Sequence, residues 1–290
     1  MTDPGPIPPR FERFEGTEGL SLAADVLGDD DRPTVLLAHG GGQTRHAWGG
    51  AALALALRGW RAVSLDQRGH GDSDRSPEGH YLIGHFGADL RAVARRLDRP
   101  VAVGASLGGI ASLIAEGESP EPVLRAVVLV DITPRVRPEG AARVVDFMKA
   151  HVETGFGSLE EAADAVAAYL PNRRRPRDLS GLRKNLREGA DGRWYWHWDP
   201  AFITDVRDRQ EDRDPERLEA CAQVLARRRT PTLLVRGGSS DLVTEAEARA
   251  FLDLVPHARF VDVSGAGHMV AGDRNDAFNT AIIRFLRDLP

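Results

Sequence analysis

The 290-residue chain contains a single cysteine, Cys221. One thiol cannot close an internal disulfide or supply a cysteine-based metal cluster. No apolar run approaches the roughly 20 residues of a membrane-spanning helix, so no membrane partner is expected. The proline-rich start, Met1–Pro9, lacks the basic and apolar regions of a signal peptide, and a cytoplasmic protein is the resulting expectation. Positive charge is not in surplus. A formal net charge of −5 argues against nucleic acid or an anionic membrane surface as a partner. The chain also lacks internal repeats and low-complexity tracts.

What is present is a globular composition, 42% hydrophobic. The length is large for one core but suits an α/β domain carrying an insertion. Short apolar runs predict strands at Phe11–Phe14, Leu20–Val26, Thr34–Ala38, Arg61–Leu65, Val101–Val103 and Ala126–Val130. Helical patterns at Ala47–Arg58, His80–Leu97 and Ile110–Glu116 fall between them. Strands apolar on both faces, alternating with helices, predict a mostly parallel sheet covered on both sides. The rhythm breaks at Ile132-Thr133-Pro134 and returns with strands at Thr232–Arg236 and Ala258–Val263 and helices at Glu245–Leu254 and Asp273–Leu289. Between the breaks lie helical stretches, Ala141–Thr154, Leu159–Leu170 and Pro215–Ala226, and a basic, proline-interrupted stretch, Asn172–Arg187. The expected organisation is therefore a core of about eight strands, residues 1–133 and 230–290. A helical cap, residues 134–229, is inserted after the sixth strand.

The chemistry-bearing residues fall at predicted strand ends, where open α/β sheets place their ligands. Val101–Val103 runs into Gly104-Ala105-Ser106-Leu107-Gly108 and then a helix. This strand–turn–helix context is what a G-x-S-x-G nucleophile elbow requires. Glycines on either side of the serine let strand and helix pass closely. His39-Gly40-Gly41-Gly42 follows another strand and offers bare backbone N–H groups. Gly41 and Leu107, the residue after the serine, are the candidate oxyanion donors. Asp241, in Gly238-Ser239-Ser240-Asp241, and His268, in Gly265-Ala266-Gly267-His268-Met269, complete the order Ser, Asp, His. The loop Asp66–Asp74 carries carboxylates and His70, but Asp and Arg clamping a glycine-rich turn explains it without a metal.

This set resembles the α/β-hydrolase superfamily, in its capped epoxide-hydrolase-like and C–C-hydrolase-like branch. The resemblance rests on His39–Gly42, Asp66–Asp74, Gly104–Gly109, Asp241 and Gly267-His268. It implies an α/β-hydrolase fold with Ser106 as nucleophile, His268 as base and Asp241 as acid, and needs no cofactor or metal. Asp131, directly after the apolar strand Ala126–Val130, is the rival acid, because some relatives place it there. Otherwise Asp131 lines the pocket or anchors the cap hinge. Haloalkane dehalogenases and ordinary epoxide hydrolases carry aspartate where this chain has Ser106, so their alkyl-enzyme chemistry is not expected.

For the substrate, Trp194, Trp196 and Trp198 alternate, as do Tyr195 and His197 on the opposite parity. If the stretch is extended, one set faces substrate and the other packs. Trp48 is a further candidate pocket wall. Arg173, Arg174, Arg175 and Arg177 read as a solvated face. The expected activity is hydrolysis of a small-to-medium apolar carboxylic ester or lactone through an acyl-enzyme. The alternatives are C–C hydrolysis of a vinylogous diketone, cofactor-free perhydrolysis, a non-turnover receptor of the same fold, or a tailoring enzyme. The expected partner is a small-molecule substrate, with the chain acting as monomer or homodimer.

Overall fold

A computed structural model describes residues 8–170, 175, 177–204, 214–268 and 275–290. Eight strands form the main sheet: β1 (Arg10–Glu15), β2 (Ser21–Leu27), β3 (Thr34–Ala38), β4 (Arg61–Leu65), β5 (Val101–Ala105), β6 (Ala126–Val130), β9 (Thr232–Gly237) and β10 (Arg259–Val263). Two further strands, β7 (Leu186–Glu188) and β8 (Trp194–Trp196), pair as a separate ribbon. The main sheet runs β1-β2-β4-β3-β5-β6-β9-β10. Only β1–β2 and β2–β4 are antiparallel; every pair from β4 to β10 is parallel.

The two-residue side-chain period of each strand sorts its apolar residues into two layers. Leu36 and Ala38, Ala102, and Val127 and Leu129 face one cluster, with Phe86, Leu90, Ile114 and Leu225. Val35 and Leu37, Val101 and Val103, and Ala126, Val128 and Val130 face the other, with Leu55, Phe278 and Ile282. Helices Gly49–Ala56 and Asn275–Arg287 cover the second layer and touch each other. Helices Ile83–Arg96 and Leu107–Gly117 cover the first.

Between β6 and β9 the described residues hold helices Pro138–Lys149 and Leu159–Tyr169, single turns at Ser180–Arg183 and Ala201–Thr204, the β7–β8 ribbon and helix Pro215–Arg228. The last helix departs from the expected cap boundary. It packs on the core helix Leu107–Gly117, with Leu218, Cys221, Ala222 and Leu225 buried. Arg228 also bonds the buried Glu116 at 2.9 Å. An amphipathic helix follows the apolar layer that its stripe fits, and here that layer belongs to the sheet. The ribbon was also not expected. It places Trp194–Trp196 in extended backbone, as the alternation required. Arg173, Arg174, Met269 and the predicted helix start at Asp273 lie outside the described residues. No described helix is long and apolar enough to cross a membrane.

The turn after β5 is fixed by close backbone approach. A Cβ on Gly104 would lie 2.2 Å from Gly108 O, and one on Gly108 would lie 2.2 Å from Ala38 O. Neither backbone neighbour can give way, so Gly104→Ala should cost about 3 kcal/mol, the upper end of ordinary overpacking. At Gly50 a Cβ would meet nothing within 4 Å, and Gly50→Ala should stabilise that helix by up to about 1 kcal/mol. Urea unfolding of the two variants checks the contrast. Equal stabilities would contradict the packing described.

Candidate functional site

Ser106 sits between β5 and the helix Leu107–Gly117 at φ 46°, ψ −114°. That backbone is costly for a residue with a Cβ and is kept only when its surroundings over-determine it. Here they do. Ser106 N–H donates to Val130 O at 3.2 Å, while Ser106 O accepts from Gly109 and Ile110 N–H at 2.9 and 3.0 Å. The first of these bonds ties the serine to the last residue of β6, directly before Asp131.

Asp131 is fully buried and itself in the left-handed region, at φ 50°. Its N–H donates to Val235 O at 2.7 Å. Its Oδ1 accepts Gly237 N–H at 3.0 Å, and its Oδ2 accepts Ser240 Oγ–H at 2.6 Å. The same Oδ2 lies 2.7 Å from His268 Nδ1. A carboxylate at Nδ1 fixes the ring with its proton on that nitrogen, leaving the lone pair on Nε2. The loop carrying His268 presses on the end of β9, where a Cβ on Gly237 would lie 2.1 Å from Gly267 O.

Asp241, the expected partner of His268, is placed elsewhere. Its carboxylate is 45% exposed and takes Arg143 Nη1 at 2.5 Å. Arg143 belongs to helix Pro138–Lys149 of the insert, and Gly140 of that helix packs on the Asp241 backbone. Asp241 therefore ties the insert to the core. The loop nonetheless reaches the site one residue earlier. Ser240 Oγ donates to Asp131 and accepts Leu242 and Val243 N–H at 3.1 and 3.2 Å. Sequence reasoning carried no signal for Ser240. For Asp131 the signal was present: an acid directly after a wholly apolar strand.

The glycine loop after β3 shows where free donors remain. Gly40 N–H goes to Gln43 Oε1 at 2.9 Å, Gly42 N–H to His70 Nε2 at 3.1 Å, and Gly108 N–H to His39 O at 3.1 Å. Among the described residues, the N–H groups of Gly41 and Leu107 meet no protein acceptor. The two residues are neighbours: a Cβ on Gly41 would stand 3.9 Å from Leu107 Cδ2 and 3.4 Å from Phe202.

Three buried histidines hold this loop, each between an N–H donor and a carbonyl. His39 Nε2 accepts Gln67 N–H at 3.1 Å and its Nδ1–H donates to Gly40 O at 2.8 Å. His70 Nε2 accepts Gly42 N–H and its Nδ1–H donates to Arg68 O at 2.9 Å. His197 Nδ1 accepts Gly71 N–H at 2.7 Å and its Nε2–H donates to Gly42 O at 3.3 Å. Each ring must be neutral to accept and donate at once. Burial drives the His39 pKa down to about 4, with Arg45 adding to the effect against the Gly40 bond. Burial also takes His197 well below its usual value, helped by its neighbours His70 and His39.

The loop Asp66–Asp74 is the structural clamp expected. Buried Asp66 takes Arg45 N–H at 2.6 Å and Arg45 Nη1, while Arg45 also pairs with Asp25 and Asp72, each at 2.8 Å. It also docks the insert. Asp199 N–H donates to Gly69 O at 2.8 Å, Tyr81 Oη–H to Asp199 Oδ2 at 2.6 Å, and Arg187 Nη2 to Asp72 Oδ1 at 3.0 Å.

The candidate pocket residues divide. Trp196 and Trp198 stack at 4.7 Å, and a Cβ on Gly42 would touch Trp198 and Met148. Trp198 thus lies against the glycine loop, and His197 faces the core, on the opposite parity. Trp194 lies under Arg183, 5.3 Å from its guanidinium carbon. Trp48 does not reach this region. It packs on Phe278 at 5.9 Å in the layer beneath the opposite face of the sheet, because the turn Arg45–Trp48 directs it there. Phe202 is an apolar neighbour that sequence reasoning left out, and Met148 of the insert joins it against the glycine loop.

Residues 33–274 match the α/β-hydrolase-fold family. The chain belongs to that family and is a hydrolase of that fold. It is similar to an esterase of Mycobacterium tuberculosis, at 30% identity over 282 residues, covering 93% of this chain and 86% of the other. A 2-(acetamidomethylene)succinate hydrolase of Mesorhizobium japonicum is 30% identical over 244 residues, 82% of each chain. The crystal structure of an α/β hydrolase from Novosphingobium aromaticivorans gives a TM-score of 0.81 at 25% identity, covering 98% of this chain and 99% of that one.

The neutral histidines set a pH dependence. A histidine whose folded pKa is depressed takes up a proton on unfolding once pH falls below its unfolded value, about 6.5. Stability is then full above that pH and declines as pH drops toward the folded value. His39 alone should remove about 2 kcal/mol between pH 7.5 and pH 5. Urea unfolding at the two pH values checks this. An unchanged midpoint would mean that the rings are protonated in the fold.

Proposed function

We propose that the chain is a serine hydrolase of neutral, apolar carboxylic esters or lactones, acting through an acyl-enzyme on Ser106. The observation that carries this reading is the 2.7 Å contact of His268 Nδ1 with buried Asp131, beside an elbow serine and two unclaimed amides. His268 Nε2 takes the Ser106 hydroxyl proton as Oγ bonds to the substrate carbonyl carbon. Asp131 holds the ring tautomer and stabilises the imidazolium. Gly41 and Leu107 N–H groups receive the oxyanion, an effect worth about 10²–10³ in rate per donor in a well-studied case. The imidazolium gives its proton to the leaving alkoxide, which departs as alcohol. Water, deprotonated by His268, then releases the acid and restores Ser106. These steps use no group beyond the protein and water.

The insert acts as the cap. Phe202, Met148 and Trp198 from it, with Leu107, surround the glycine loop with apolar surface. This suits an uncharged acyl or alkyl group. Among the described residues, the arginines near the loop, Arg45 and Arg187, are already held by Asp25, Asp66 and Asp72. A dicarboxylate such as the one named for the Mesorhizobium relative would need such a cation free. The esterase from Mycobacterium tuberculosis supports the ester reading.

A fluorophosphonate should add to the protein once, at Ser106, as read by mass spectrometry, and p-nitrophenyl butyrate should be turned over. Ser106→Ala and His268→Ala should abolish both. Asp131→Asn should lower kcat by about 10⁴, the scale seen when a triad acid is neutralised elsewhere. Asp241→Asn, losing only an exposed ion pair, should stay within about fivefold. Circular dichroism verifies folding of each variant. Activity surviving in Asp131→Asn and lost in Asp241→Asn would overturn the assignment of the acid.

A further inference from the structure

Three side chains converge that the proposed reaction does not use. Glu18 sits at φ 58° in the turn joining β1 to β2. His80 precedes helix Ile83–Arg96, and His85 is the third residue of that helix. One carboxylate oxygen and one nitrogen from each ring lie within 4.8 Å of one another. His80 Nδ1 is 2.6 Å from Glu18 Oε1. The two rings stack at 4.9 Å, only 3° from parallel. Glu18 and His80 are exposed and His85 is half-buried, so solvent reaches the cluster.

We propose that Glu18, His80 and His85 form a binding site for a divalent transition-metal ion of the Zn²⁺, Ni²⁺ or Cu²⁺ class. Two imidazoles and a carboxylate are borderline donors that favour these ions over Mg²⁺ or Ca²⁺, which take all-oxygen shells. The ligand atoms need to close only modestly to reach metal distances of about 2.0–2.2 Å. Two of the three side chains, Glu18 and His80, are exposed, which leaves further positions open to water. Local charge also favours a cation. The adjacent positive groups are Arg68, whose Nε and Nη2 Asp89 takes at 2.6 and 2.9 Å, and Arg217 beside Gly84, which Glu118 holds at 2.6 Å. Glu18 is then the surplus charge, and it is negative.

The site is connected to the glycine loop. Arg68 Nη1 donates to Glu18 Oε2 at 2.8 Å and to His80 O at 2.9 Å. Arg68 O accepts from His70 Nδ1, and His70 Nε2 accepts Gly42 N–H. A metal that draws Glu18 away from Arg68 pulls on the residue whose carbonyl orients His70.

Isothermal titration of the full chain with ZnCl₂ and with NiCl₂, in a non-chelating buffer, tests the site. One equivalent should bind. Glu18→Gln, His80→Asn and His85→Asn should each weaken binding at least tenfold, since losing a ligand costs no less than losing a ligand's own partner. Two controls cover the other accessible imidazole–carboxylate pairs. His46→Asn removes the ring 3.4 Å from Asp25, and His268→Ala removes the ring on Asp131; neither should change the affinity. MgCl₂ in excess should not compete. Binding kept by a His80→Asn, His85→Asn double variant, or lost only in His268→Ala, would overturn the proposal. A second readout rests on the hydrolase reading. Saturating Zn²⁺ should lower ester turnover in the wild type and not in the double variant. Inhibition persisting in the double variant would place the ion at the triad instead. The titration stands whatever the outcome of the turnover measurements.

Discussion

A serine at φ 46° and ψ −114° does not rest in a backbone minimum, and strain of this kind costs on the order of 1–3 kcal/mol. The fold sustains it through three close approaches: Gly104 on Gly108, Gly108 on Ala38, and Ser106 N–H on Val130 O. Each joins the elbow to a different strand. The elbow therefore cannot relax without separating β5 from β3 or β6. What that rigidity secures is position. Ser106 lies beside the residue preceding Asp131, Asp131 holds His268, and the helix that begins at Leu107 starts with its first side chain beside Gly41.

The second constraint is an accounting of hydrogen bonds. Around the glycine loop almost every backbone donor has an acceptor, and three neutral histidines supply or fix those pairings. A charged ring would lose its acceptor nitrogen and leave a buried N–H unmatched, which is costly. The depressed pKa of His39 and the exposure of only two donors are thus one design. The rings stay neutral so that the N–H groups of Gly42, Gln67 and Gly71 keep their acceptors, while those of Gly41 and Leu107 have none among the described residues.

Much of this was legible in the sequence because it is written in local pattern. Apolar runs between helical stretches read as a parallel sheet, and the glycines around Ser106 and at 40–42 read as bare backbone near a site. The limit came where placement depends on pairs distant in sequence. Asp131 and Asp241 both follow a strand, and nothing local says which carboxylate His268 meets. The decision rests on burial. Asp131, held in the left-handed region at the end of a central strand, is sealed and bonded by Gly237 and Ser240. Asp241 lies exposed on the loop after β9 and is met there by Arg143 of the insert. Trp48 failed for a similar reason. Adjacency to the glycine loop in sequence did not fix the side of the sheet its ring would take. Helix Pro215–Arg228 has the composition of the insert's helices, and only its contact with Leu107–Gly117 shows that it is part of the core.

The insert and the glycine loop meet on a narrow footing. His197 spans them, with Gly71 N–H on one nitrogen and Gly42 O on the other. Asp199 and Arg187 dock on Gly69 and Asp72, while Arg143 docks on Asp241. These are polar, directional contacts, whereas Phe202, Met148 and Trp198 contribute apolar surface beside the loop. The polar contacts set where the insert sits; the apolar side chains set what fits beneath it. Exchanging one apolar side chain for another of different size leaves the docking bonds intact, so the space beside the glycine loop can change while the loop itself holds still. A change at His197 is different in kind. It alters the acceptor of Gly71 N–H and the donor to Gly42 O together, so a single residue of the insert bears directly on the geometry of the glycine loop.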